Sequence, residues 1–229
     1  MASIDLTAPS AVTIRPLTVA DRDACVVVEN ACFTNPDHRA TPDKFSYRLT
    51  VCPELCLGVF VHTVGSETLL PGTSLSSSSP TPSYGVLVGH VIATRCTTSV
   101  LSDASMGVPK DWRADVAAAA AAADGADAIP PPASSTLGHQ VAGGTVAVHS
   151  LGIVPSLQGK GLGTKLMRAY LERMAALSAS PGAQKVDRVA LICQDYLVDY
   201  YTKLGFTNNG PSEAQFGGGG WFDMVSPFT

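Results

Sequence analysis

One stretch constrains this chain more than any other. The run Val146-Ala-Val-His-Ser-Leu-Gly-Ile-Val154 passes through Pro155-Ser-Leu-Gln158 into Gly159-Lys-Gly161-Leu-Gly163-Thr164, and a helix pattern begins at once. Leu162, Leu166, Met167, Tyr170, Leu171 and Met174 recur at helical spacing and mark one buried face. A glycine turn between a strand and a helix exposes several backbone N–H groups. The helix N-terminus adds roughly half a positive charge, so the turn can cradle a phosphate or pyrophosphate. Glycine suits it because a Cβ would hold the ligand away. The spacing fits neither common phosphate motif. Walker A needs four residues between its first glycine and Gly-Lys-Ser/Thr, and the third glycine of the dinucleotide fingerprint would fall on Thr164 or Leu166. What fits is Gln158-x-x-Gly161-x-Gly163.

The rest of the chain predicts alternating strands and helices around one mixed sheet, an α/β or α+β fold. Thr13–Pro16 reads as a strand, and Thr18 with Asp21 as a capping box opening a helix to about Cys32. Thr41-Pro42 caps a second helix, and Leu57–Thr63 and Tyr84–Thr94 are β-branched runs. Val189–Cys193 is a buried strand, and Tyr196–Leu204 a helix closed by Gly205. Two more strands follow, with Gly217–Gly220 between them. A single domain over residues 12–228 is expected. Low-complexity inserts at about 65–83, with its serine run, and 102–143, with the alanine run Ala117–Ala123, are expected to be surface loops.

Lys plus Arg number 15 against 19 Asp plus Glu, a net charge of −4, which argues against nucleic acid as a partner. No apolar run reaches the ~20 residues that span a bilayer, and Met1–Ser10 has no basic segment of the kind that opens a secretory signal. A cytoplasmic location is therefore expected. The six cysteines are scattered through apolar contexts and read as reduced thiols. Cys52 and Cys56 lack a second Cys/His pair at ligand spacing, so no metal is expected.

Gln158-x-x-Gly161-x-Gly163 after a strand resembles the coenzyme A pyrophosphate motif of the GNAT superfamily of N-acetyltransferases. Three further stretches resemble its arylalkylamine (serotonin) N-acetyltransferase group. They are Cys52-Pro-Glu-Leu-Cys-Leu-Gly58, Val148-His-Ser-Leu151, and Leu191-Ile-Cys-Gln-Asp195 with Tyr200-Tyr-Thr-Lys-Leu-Gly-Phe206. The resemblance implies a GNAT-type sheet splayed at the acetyl-CoA strand, with acetyl-CoA as co-substrate. It implies that Leu151, Gly152 and Ile153 meet the pantetheine arm, and that Gln158, Gly159, Lys160, Gly161, Leu162, Gly163 and Thr164 hold the pyrophosphate. By the same resemblance His149 is the proton acceptor and Tyr201 sits at the CoA sulfur. Pro53, Glu54, Leu55, Leu151 and Ile192 line the amine pocket. Ala147 stands where animal members carry a second histidine, which leaves His149 the only imidazole in its strand.

The expected reaction moves an acetyl group from the thioester to a primary amine in one ternary complex. The amine arrives as ammonium, with a pKa of roughly 10, and a histidine of pKa about 6.5 can take its proton directly or through water. The acidic limb of kcat/KM is then expected at about 6.5 to 7.5. Glu54 and Glu29 are alternative bases. The partner is expected to be a small amine and the protein a monomer. A polyamine or protein amine, or a non-catalytic acyl-CoA module, are the rival readings.

Overall fold

The computed structural model describes residues 12–62, 85–122 and 136–228. In chain order the strands are β1 (Val12–Pro16), β2 (Leu57–Val61), β3 (Val86–Cys96), β4 (Thr145–Ile153), β5 (Arg188–Cys193), β6 (Thr207–Pro211) and β7 (Phe222–Pro227). The helices are α1 (Arg22–Cys32), α2 (Pro42–Val51), α3 (Trp112–Ala122), α4 (Leu162–Ala179) and α5 (Val198–Thr202). The strands form one mixed seven-stranded sheet in the order β1-β2-β3-β4-β5-β7-β6. Every neighbouring pair is antiparallel except β4–β5, which α4 connects as a parallel crossover. The mixed α/β fold expected from the sequence is the fold observed.

Local chemistry places the elements. Asp21 closes the capping box on Thr18 and takes a two-pronged contact from Arg15, at 2.9 and 2.7 Å. Thr41 Oγ1 accepts the Lys44 N–H at 3.3 Å, with Pro42 at the first helical position of α2. Gly205 adopts φ +92 where the chain leaves α5. The predicted α4 stripe is the buried one: Leu162, Leu166, Met167, Tyr170 and Met174 all face inward. β2 is buried along its whole length and β3 nearly so, as central strands covered on both faces must be. All six cysteines are free, and burial raises the thiols of Cys32 and Cys56 to about 12.

The insert expected at 65–83 lies outside the described residues. The one expected at 102–143 departs from a surface loop at both ends. Leu101, Ser105, Met106 and Trp112 are buried, and the Tyr47 and Trp112 rings meet edge to face at 5.5 Å. Arg48 Nη2 donates to the Met106 carbonyl at 3.2 Å, and the His139 N–H donates to Tyr47 Oη at 2.8 Å. Trp112 and Met106 supply apolar surface that α2 otherwise lacks, so the alanine-rich composition conceals an anchored start and end.

Candidate active site

The site begins with an irregularity in β4. Ile92 of β3 pairs with Ser150, but the next residue, Ala93, pairs with Val148, so His149 is one residue too many on its strand. Such a bulge re-aims a side chain and bends the strand that carries it. On its other side β4 pairs with β5 only from Thr145↔Arg188 to Val148↔Leu191. Beyond that point Ile192 and Cys193 stay with β7, and β4 diverges. The two strands open a wedge whose apex is His149.

The backbone inside the wedge has unused hydrogen-bonding groups. Val154 N–H bonds Val88 O across the β3 side at 2.9 Å. Strand alternation then turns the N–H and C=O of Leu151 and Ile153 toward the β5 side, where no strand meets them. Gln158 Nε2 takes the Ile153 carbonyl at 2.8 Å, pinning the glycine turn to the strand end. Gly159 and Gly161 have φ +71 and +80, and neither has an atom within 4 Å of where a Cβ would stand. Gly161 caps α4 in the left-handed conformation, so the first N–H groups of the helix face outward without intrahelical partners. A groove of about 670 Å³ runs from this turn to the wedge. Leu151, Gly152, Ile153, Gln158, Gly159, Gly161, Leu162, Gly163, Thr164 and Tyr201 all line it. Lys160 is in the turn but is not among the lining residues.

A second cavity, of about 100 Å³, lies on the other side of the wedge apex. Phe33, Leu151, Tyr196, Leu197 and Tyr201 border both spaces, so groove and cavity meet there. His149 and Ile192 line the cavity, with Phe216 and Trp221 from the glycine-rich turn before β7 and His38 from the α1–α2 connection. His38 Nε2 lies 3.3 Å from the Gly217 carbonyl, its ring 5.0 Å from that of Trp221, and Trp221 Nε1 donates to Phe216 O at 2.7 Å. Two segments far apart in the chain thus close one wall.

His149 Nε2 lies 2.8 Å from Thr94 Oγ1, and its Nδ1 is buried without a partner. Burial depresses its pKa well below the ordinary histidine value, helped by the positive charges of Arg48 and Lys44 on α2. The imidazole is therefore neutral at physiological pH. The sequence alone gives the unperturbed value and not the burial, so the His149 pKa lies below the range of about 6.5 to 7.5 taken from it. Tyr201 is raised above the ordinary tyrosine range by burial and by Tyr200 and Cys193 nearby, so its hydroxyl keeps its proton.

Three sequence-derived assignments part from the geometry. Pro53, Glu54 and Leu55 form a 3-10 turn that lines neither space. Tyr170 Oη donates to Leu55 O at 3.0 Å and Arg173 Nε to Glu54 O at 3.3 Å, so this turn docks α4 instead. Glu29 is 2% exposed and committed to buried partners, which removes it as a free base. Leu151 and Ile192 remain as the substrate-side residues brought to the cavity.

Comparison with known proteins agrees with this layout. Residues 134–226, from the approach to β4 to the end of β7, match the family model described as an acetyltransferase (GNAT) domain. This stretch of the chain is similar to a GNAT acetyltransferase domain. Solved structures of the same fold include the GphF GNAT-like decarboxylase in complex with isobutyryl-CoA (TM-score 0.54, 16% identity, 94% of this chain and 98% of that one). Ard1 from Thermoplasma volcanium gives a TM-score of 0.54 at 13% identity, over 96% and 99%. The PaiA N-acetyltransferase from Thermoplasma acidophilum in complex with coenzyme A gives 0.51 at 11%, over 95% and 99%.

Sequence reasoning about this site missed Thr94, Phe33, His38, Phe216 and Trp221. None sits in a motif, and each reaches the site through tertiary packing. Tyr200 reads from the sequence as a bystander beside Tyr201. It lines the groove, and its hydroxyl bonds Thr164 and lies 3.1 Å from where a Gly163 Cβ would stand. The signal for it was available, since a tyrosine beside Tyr201 on a one-turn helix can face the glycine turn.

Proposed function

We propose that this GNAT domain acetylates a small arylalkylamine of the tryptamine or phenylethylamine type, with acetyl-CoA in the groove and the amine in the cavity. The observation that carries the reading is their junction, bordered by Tyr201 and Leu151 beside His149. At about 100 Å³ the cavity is smaller than the ~150 Å³ that holds benzene, so an arylethylamine would need part of the junction with the groove at Leu151 and Tyr201 as well. The cavity walls are aromatic, with Phe33, Tyr196, Phe216 and Trp221, which suits an aryl group or an organic cation. None of its lining residues is Asp or Glu. A polyamine would leave its second ammonium without a counter-charge, so that alternative is disfavoured.

Acetyl-CoA supplies an activated acyl group. The glycine turn and the N–H groups of α4 hold its pyrophosphate, and the Leu151 backbone with the Ile153 N–H aligns its pantetheine arm. A Leu151 N–H turned into the wedge can also bind the carbonyl oxygen as charge develops on it. His149, neutral, accepts the ammonium proton through Nδ1, with Thr94 orienting the ring through Nε2. The same desolvation that depresses His149 lowers the ammonium pKa inside the cavity, so the transfer is not steeply uphill. Tyr201 donates its proton to the leaving thiolate and is reprotonated by the second proton that the nitrogen sheds as the amide forms, so that His149 carries the one proton released overall. Holding both substrates at the apex supplies the proximity term without a covalent enzyme intermediate.

The test is thiol release from acetyl-CoA with tryptamine, phenylethylamine and spermidine side by side. Preference for the aryl amines supports the reading. Turnover with spermidine alone would move the substrate class to polyamines, and no turnover with any amine would leave only an acyl-CoA-binding module.

A further inference from the structure

The strongest feature that the reaction above leaves unused is a buried polar cluster against β4, one member of which, Ser150, also lines the cavity. Glu29 of α1, His90 of β3 and Ser150 of β4 are 2%, 0% and 4% exposed. Ser150 Oγ donates to Glu29 Oε2 at 2.7 Å. His90 Nε2 lies 3.1 Å from the same carboxylate oxygen and 3.0 Å from Ser150 Oγ. Glu29 Oε1 accepts the Ala40 N–H at 2.8 Å. Proton accounting fixes the roles. The single Ser150 proton is spent on Glu29, and a carboxylate has none, so His90 Nε2 must carry a hydrogen. Burial pushes the Glu29 carboxyl up, but the bonds from His90, Ala40 and Ser150 outweigh it and hold it below the ordinary range.

The placement of these groups is informative. Ser150 follows the bulged residue His149 and is the first residue after the bulge to regain register with β3. His90 pairs with Gly152, in the middle of the half of β4 that has left β5. A Cβ on Gly152 would stand 3.0 Å from Cys32 Sγ, so α1 lies directly on this strand. A strand that has lost one neighbour and carries a bulge has fewer bonds to fix its position. Here one carboxylate ties it to α1 and, through Ala40, to the start of α2.

We propose that the Glu29–His90–Ser150 cluster is a clamp that holds the splayed half of β4 open, fixing His149, the Leu151 backbone and the Ile153 N–H toward the acyl-CoA groove. The three are positioning residues. They are not a second proton path, because His90 Nδ1 is buried without a partner to pass a proton to. The inference rests on the reading of β4 as the acyl-CoA strand.

The test pairs a structural with a kinetic readout. In free Ser150→Ala protein, amide hydrogen exchange across residues 149–153 is expected to rise about tenfold or more, with α4 unchanged. Its kcat for acetyl transfer is expected to fall about tenfold, equal to about 1.4 kcal/mol, with acetyl-CoA affinity within about threefold and the acidic limb unmoved. Ser150→Thr, which keeps the hydroxyl, is expected to recover most of the loss. Glu29→Gln, of the same volume, repeats the measurement if Ser150→Ala does not accumulate folded. Unchanged exchange in 149–153 overturns the clamp, as does a lowered Tm with kcat intact. The exchange experiment needs no substrate, so a wild-type protein that transfers to no amine would sink the proposed function and leave the clamp to be judged by exchange.

Discussion

The groove and the cavity are built in different ways. Most of the groove comes from one continuous stretch, Leu151 to Thr164, in which each residue's place follows from its neighbours in sequence. The cavity joins a short run of β4 (148–151) and one from β5 onward (191–194) to residues scattered over the α1–α2 connection, Met106, the segment before α5, Tyr201 and the turn before β7. A phosphate cradle needs consecutive backbone N–H groups, which only a local turn supplies. A pocket for a small organic molecule needs walls on several sides, which only tertiary packing supplies. The two spaces meet at Tyr201 and Leu151, and variants on either side should separate them.

The largest effect is expected on the cavity side. His149→Gln should lower kcat/KM about 100-fold while acetyl-CoA still binds. In the wild type the neutral imidazole is the active form, and its pKa is depressed. Activity should therefore stay on its plateau as pH falls to about 6.5 and decline only below it, and His149→Gln should abolish that limb. A limb kept by His149→Gln would place the base elsewhere.

On the groove side, Gly161→Val should raise the acetyl-CoA dissociation constant about tenfold or more by calorimetry. The cause is conformational, since φ is +80 and the space around the absent Cβ is open. The amine KM should change far less. A smaller effect is expected at Phe216, where truncation to Ala should raise the amine KM about fivefold and leave acetyl-CoA affinity alone, in line with the loss of one aromatic contact. Smallest is Glu54→Gln, which should move either constant by less than about twofold, because its turn docks α4 and lines neither space. A large effect there would restore Pro53–Leu55 to the substrate site.

The same division explains what was legible in the sequence. The glycine turn, the α4 stripe and the succession of strands and helices could be read because spacing carries them. His149 could be singled out beside the turn, but not its neutral state, which depends on α2 charges and on burial. The bulge that aims it shows only in the β3–β4 register. For Cys52–Gly58 a resemblance in residue order does not say which face a turn presents, and here the turn lines neither space. The role of Trp112 was hidden by the alanines that follow it.

The central claim is that one reaction path crosses from groove to cavity at the wedge of β4. It is tested most directly by a conjugate in which the CoA sulfur is joined through an acetyl bridge to the nitrogen of tryptamine, titrated by calorimetry against CoA alone. The account predicts that the conjugate binds at least about 100-fold tighter than CoA, since its second half occupies the cavity without a further loss of translational freedom, and that Phe216→Ala erases part of that gain. Equal affinity of the conjugate and CoA would show that the cavity does not receive the amine and would contradict the account.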